Sequence, residues 1–181
     1  LIDGDSHPFS MSLDGRNKKD LTENSKEFAY GFNASPDGKQ VAYHKSYQIY
    51  IADADGANAR RIDTAQPFNF APKWSPDGEW LLFVAGEHYN CHPFIVRRDG
   101  SGLRKMADRQ GYRGVVEFLD VPDFHGGSSD VPLWSPGGER VYYPAKGGES
   151  VELMRVSLAV QIEQLTQTQS GRLNYHPTFS P

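Results

Sequence analysis

The chain has 181 residues, a net charge of -4 and a single cysteine, Cys91. The mild acidity excludes a basic stripe of the kind that tracks phosphates, so no nucleic-acid partner is expected. No apolar run approaches the roughly 20 residues of a membrane helix, and one cysteine excludes both an internal disulfide and a multi-cysteine zinc site.

The chain opens on Leu1-Ile2-Asp3-Gly4-Asp5, which is charged and carries no signal-peptide pattern. Phe9-Ser10-Met11-Ser12 then leads into Leu13-Asp14-Gly15, and a second run closes at Asp20-Leu21-Thr22. Two strands joined through Asp-Gly are predicted here. Ala34-Ser35-Pro36-Asp37-Gly38 follows, and Gln40-Val41-Ala42-Tyr43 leaves it as a strand. Gln48-Ile49-Tyr50-Ile51-Ala52 alternates, passes Ala54-Asp55-Gly56, and returns through Arg61-Ile62-Asp63.

The same order then repeats. Trp74-Ser75-Pro76-Asp77-Gly78 precedes Trp80-Leu81-Leu82-Phe83-Val84, and Pro93-Phe94-Ile95-Val96 precedes Arg98-Asp99-Gly100. Trp134-Ser135-Pro136-Gly137-Gly138 precedes Arg140-Val141-Tyr142-Tyr143, and a last Phe179-Ser180-Pro181 stands at the end. In the third unit Ser157-Leu158-Ala159 replaces the second Asp-Gly, before Gln164-Leu165-Thr166. The Ser-Pro landmarks at 35, 75, 135 and 180 are spaced by 40, 60 and 45 residues. Fixed self-similarity at this period marks a repeat architecture, and four strands in about 40–45 residues read as a propeller blade. A plain antiparallel sandwich would not repeat the same turns in the same order.

The predicted fold is all-β: a β-propeller of four-stranded antiparallel blades, three full, with partial blades at both ends. The units are a partial blade over 1-24, blades over about 25-65, 66-108 and 128-167, an inserted loop over 108-130, and a partial blade over 172-181. The region is expected to be a segment of a longer propeller. Open blade edges make self-association a further expectation.

The run from aromatic-Ser-Pro-Asp-Gly to the closing Leu-Thr resembles the WD40-like propeller repeat of the TolB family. More distantly it resembles the propellers of oligogalacturonate lyases, and similar blades occur beside prolyl oligopeptidase-type peptidases. A peptidase is disfavoured, since no Gly-x-Ser-x-Gly elbow occurs. The resemblance implies a periplasmic or extracellular setting. It does not by itself select a function.

The repeat also assigns residues to faces. All six histidines map to the end of the blades opposite the Ser-Pro-Asp-Gly turns. His7 and His92 begin third strands, in His7-Pro8-Phe9 and His92-Pro93-Phe94. His44 and His88 are read between second and third strands, with His44 solvated. His125 lies in the inserted loop, and His176 opens a first strand. Long connections in compact domains are often functional, and glycines around Tyr112, Arg113 and His125 suit a bent loop. Asp120 and Asp123 are read as ending a strand or solvating that loop. Cys91 is read as a small half-buried residue, not a nucleophile.

Two functions follow. The favoured one is a binding or scaffold module that takes a protein, peptide or oligosaccharide on the histidine-bearing face, with His88, Tyr89, His92 and His176 as binding residues. The alternative is a polysaccharide lyase acting by β-elimination on uronic acid glycans. Elimination needs a base, a cation to neutralise the carboxylate, and an acid. His125, Arg113 and Tyr112 are the candidate catalytic residues. The lyase resemblance implies a divalent metal held by histidines, with His176 and His125 as candidate ligands. In Asn174-Tyr175-His176 only His176 matches that family's paired histidines.

Overall fold

The computed structural model describes residues 9–20, 29–87, 90–112, 131–174 and 177–180. His7, His88, Tyr89, Arg113, Asp120, Asp123, His125 and His176 lie outside them. Fourteen strands are formed by the described residues, and none of these residues is helical. A two-stranded piece, β1 (Phe9–Ser10) with β2 (Lys19–Asp20), comes first. Three four-stranded antiparallel sheets follow. The first blade is β3 (Ala29–Ala34), β4 (Gln40–Lys45), β5 (Gln48–Asp53) and β6 (Arg60–Ile62). The second is β7 (Phe68–Trp74), β8 (Trp80–Glu87), β9 (Asn90–Arg97) and β10 (Arg104–Lys105). The third is β11 (Leu133–Trp134), β12 (Arg140–Gly147), β13 (Ser150–Ser157) and β14 (Ile162–Gln164). In each sheet the spatial order is the chain order.

The Ser-Pro-Asp-Gly turn is built from its own side chains. Pro36 presets the backbone for a type I turn, closed by the Gly38 N–H donating to the Ser35 carbonyl at 2.9 Å. Gly38 then takes φ +67°, where a Cβ is disfavoured. The Ser35 hydroxyl donates to Asp37 Oδ1 at 2.6 Å and accepts the Gln40 N–H at 2.9 Å. Asp37 Oδ1 also accepts the Lys39 N–H at 3.1 Å. Ser75, Asp77, Glu79 and Trp80 repeat every one of these bonds. The third turn keeps the Ser135 bonds to Arg140, with Gly137 in place of the aspartate.

The second turn also recurs. In Asp53–Ala57, Arg97–Ser101 and Ser157–Gln161 the first N–H donates to the last carbonyl, and the fourth N–H donates to the first carbonyl. Gly56 and Gly100 hold the fourth position at φ +86° and +93°. In the third blade Val160 holds it at φ +61°. The turn therefore survives the loss of Asp-Gly, at the cost of a β-branched residue in the left-handed region.

The apolar interior lies between blades. Ile49, Ile51 and Ile62 of the first blade meet Trp74, Leu81, Phe83 and Val96 of the second. Leu82, Ile95 and Met106 of the second meet Trp134, Val141, Tyr143 and Val156 of the third. Successive residues of a strand point to opposite faces, so β8 is buried on both and reads as a continuous apolar run. First strands carry a register shift, between Tyr30 and Asn33 in β3 and between Phe70 and Lys73 in β7. Ala71, at φ +48°, sits inside the second shift, and its N–H donates to His44 Nδ1 at 3.3 Å.

That bond corrects the reading of His44. It lies within β4, not between strands, and it is 7% exposed, not solvated. The cause is the neighbouring blade, which covers the ring and supplies the backbone donor.

Two outcomes are expected. Val160→Gly should remove backbone strain worth about 1 kcal/mol and raise the thermal midpoint by about 2–4 °C, because the half-exposed valine gives up little packing. The carboxyls of Asp37 and Asp77 are held below the usual 3.8, first by the Ser35 and Ser75 hydroxyls and then by the backbone N–H groups of Lys39 and Glu79. A carboxyl lowered by folding stabilises the fold above its unfolded value, and that contribution is lost as pH falls through the folded value. Thermal melts should therefore weaken as pH drops below about 4, and Asp77→Asn should make that fall shallower.

Candidate binding face

The end of the blades opposite the Ser-Pro-Asp-Gly turns is made of hairpin turns between second and third strands and of the connectors between blades. His44 and His92 are the histidines of this end among the described residues. Around His44 the face is aromatic. Tyr47, in the β4–β5 turn, meets Phe68 edge-on at 4.9 Å and Phe70 at 5.5 Å between ring centres. The His44 ring meets Phe70 at 5.6 Å. Tyr47, Phe68 and Phe70 are only half-buried. The type of turn explains the arrangement: Ser46 and Tyr47 both take positive φ, +46° and +62°, which folds the tight hairpin back and sets the Tyr47 ring against the next blade.

Around His92 the face is charged. His92 is the third residue of β9, not its first as expected from sequence, and the connector after β10 runs over it. His92 Nδ1 accepts the Arg109 N–H at 3.2 Å, and its Nε2 lies 3.6 Å from Asp108 Oδ2. Asp108 also accepts from Lys105 Nζ at 2.7 Å. Arg109 is 2% exposed; its Nε donates to the Pro144 carbonyl at 3.0 Å, and its guanidinium lies 4.8 Å from the centre of the Tyr112 ring. The Lys146 N–H donates to the Arg109 carbonyl, which ties the connector to β12. Tyr112 is buried with it.

Burial sets the proton affinities here. Desolvation lowers His92 from its usual 6.5, Lys105 and Arg109 add to this, and Asp108 opposes it. The Lys105 hydrogen bond holds Asp108 below the carboxylate range. Burial pushes the Tyr143 hydroxyl up to about 12, with Asp108 contributing, and the Cys91 thiol up to about 11. Cys91 is buried, deeper than the half-buried position expected of it from sequence.

Of the residues expected from sequence to form a site, His92 and Tyr112 fall in this cluster. Arg109 lies between them, its N–H on the His92 ring and its guanidinium on the Tyr112 ring. His88, Tyr89, Arg113, His125 and His176 lie outside the described residues. Arg109, Asp108 and Tyr143 were not singled out from sequence. Arg109 follows Met106-Ala107, a buried apolar pair after a strand, and that was the one signal that the charge is drawn inward. Among the described residues no three His, Cys, Asp or Glu side chains converge as metal ligands.

Four-stranded sheets stacked face to face in chain order, with first strands side by side, define a β-propeller. No family model matches the chain. An uncharacterized protein of Agrobacterium fabrum is 28% identical over 109 residues, which is 58% of this chain and 36% of that one. The Tol-Pal system protein TolB of Mannheimia succiniciproducens is 38% identical over 72 residues, 39% of this chain and 16% of TolB. The chain thus spans well under half the length of these relatives. TolB from Acinetobacter baumannii superposes with a TM-score of 0.69 at 20% identity, over 95% of this chain and 40% of that one. An oligogalacturonate lyase in complex with manganese superposes at 0.61 and 14% identity, over 86% of this chain and 43% of that one. The chain is a β-propeller whose blades are similar to those of TolB.

The thiol position gives a direct check. A thiol at about 11 is almost wholly protonated at neutral pH. In the native chain Cys91 should react with iodoacetamide at pH 8 about two orders of magnitude more slowly than in denaturant, as read by mass spectrometry of timed aliquots.

Proposed function

We propose that this propeller is a binding module, and that it takes a protein or peptide on the histidine-bearing face. The observation that carries the reading is the half-buried aromatic group Tyr47, Phe68 and Phe70 beside His44. Rings of this kind give large contact area at small entropic cost, and aromatics are enriched where proteins meet. The charged connector at Lys105 and Asp108, one blade away, supplies polar groups that orient a ligand. The turn end of the blades offers less, because the Ser35 hydroxyl and one oxygen of Asp37 are engaged within the turn, as are those of Ser75 and Asp77. The TolB relatives are by name Tol-Pal system proteins, which accords with a protein ligand. In this reading His92 takes part in binding, with His88, Tyr89 and His176 as the further residues expected from sequence.

A random-peptide display selection on the immobilised chain tests this. Selected peptides are expected to bind Tyr47→Ala and Phe70→Ala at least about tenfold more weakly, as loss of an interface aromatic does. They should bind Asp37→Asn, at the opposite end, as tightly as wild type. Binders that ignore both aromatic variants, or a selection that enriches nothing, would overturn the proposal. A rise in ultraviolet absorbance on incubation with oligogalacturonate, the mark of an unsaturated product, would instead favour the lyase.

A further inference from the structure

The strand pairings place Gln48, His92 and Glu152 at one structural position. They stand opposite Lys45, Ala85 and Ala145, each the sixth residue of its second strand. The three side chains share no chemistry: an amide, an imidazole and a carboxylate. Yet each reaches the connector that leaves its own blade. Gln48 Nε2 donates to the Pro67 carbonyl at 3.4 Å. His92 Nδ1 accepts the Arg109 N–H at 3.2 Å. Glu152, 1% exposed, accepts the Thr168 N–H and the Thr168 hydroxyl, both at 2.9 Å, and the hydroxyl of Thr166. Ser150 donates to it as well.

We infer that this position is a clasp that docks each outgoing connector, and that in the second blade a proton opens it. The inference is independent of what the face binds. An amide does not titrate. Glu152, held down to about 2 by the hydroxyls of Ser150 and Thr166, stays ionised at any ordinary pH. Imidazole alone changes charge between pH 5 and 8.

The groups facing His92 decide the direction. Cys91 is beside it on β9 and Lys105 on β10. Asp108 and Arg109 face it from the connector, Tyr112 stacks on Arg109 beyond them, and Tyr143 and Lys146 belong to β12. Burial and the two nearby cations, Lys105 and Arg109, disfavour the imidazolium, and Asp108 favours it. The net direction is downward, so the ring is neutral near pH 7.5 and its Nδ1 lone pair is available to Arg109. Below that range Nδ1 gains a hydrogen and stops accepting. Two N–H groups then face each other, and the Arg109 amide must turn away. Its side chain, on the Pro144 carbonyl and the Tyr112 ring, is anchored through the same few residues. The connector over Asp108–Tyr112 therefore loosens, while the first and third blades keep their clasps.

The test is amide hydrogen exchange on the ¹⁵N-labelled chain from pH 7.5 to 4.5, read as protection factors so that intrinsic exchange rates cancel. Arg109 protection is expected to fall about tenfold, as for one lost hydrogen bond, and Thr168 protection to hold. His92→Gln, which installs the first blade's residue, should keep Arg109 protected and abolish the pH step. Constant Arg109 protection in wild type, an equal fall at Thr168, or a step that persists in His92→Gln would each overturn the inference. If His92→Gln does not fold, the wild-type contrast between Arg109 and Thr168 decides alone.

Discussion

An indole reaching back to the preceding blade holds this array together. Trp74 Nε1 donates to the Asn33 carbonyl at 3.1 Å, and Trp134 Nε1 donates to the Lys73 carbonyl at 3.3 Å. These are the same bond, one blade apart. A four-stranded sheet has two faces and cannot cover both from its own residues, so each blade needs a neighbour. A tryptophan can fill the junction only if its N–H finds an acceptor there. The acceptor is a carbonyl on the neighbour's first strand, so filling the core and setting the position of one blade on the next are a single event. Trp74 adds its backbone N–H to Asn33 Oδ1 at 2.7 Å. At the same repeat position Phe179 has no such donor, and its ring meets Tyr142 edge-on at 5.0 Å instead.

The two ends of the blades then obey different rules. At the turn end the bonds are local. Ser35, Asp37 and the amides after them close on one another within a few residues, and Ser75 and Asp77 do the same. Any blade with that sequence makes the same turn wherever it sits. At the connector end the bonds are long-range. His44 meets Ala71, Gln48 meets Pro67, His92 meets Arg109 and Glu152 meets Thr168. The first of these pairs ties a blade to the first strand of the next, and the others tie a blade to the segment that leads away from it.

This difference decides what could be read without a structure. The Ser-Pro-Asp-Gly turns were legible because the residues that recur are the ones that make the bonds. The four-strand unit followed from their order, and it held in the third blade even where Val160 replaces the glycine. The burial of His44 was not legible, because its donor is 27 residues away. Arg109 was hidden for the same reason, since a charged residue after a strand reads as surface. His92 looked like a strand-opening histidine beside a proline. Its tie to Arg109 depends on the connector, whose path no local pattern encodes.

The same difference bears on where a propeller of this kind can acquire a function. The turn end closes on itself: the serine hydroxyls and one oxygen of each aspartate are spent locally, and the third blade keeps both turns with Gly137 for the aspartate and Val160 for the glycine. The connector end accepts glutamine, histidine or glutamate at one and the same position, and each still holds its connector. Geometry there asks for a hydrogen-bonding side chain but not for a particular one. A position with that latitude can take on charge, aromatic surface or proton sensitivity without loss of the fold. A rigid scaffold with one locally closed end and one permissive end is what binding loops require. In this chain the permissive end is also where Tyr47, Phe68 and Phe70 remain half-open to solvent.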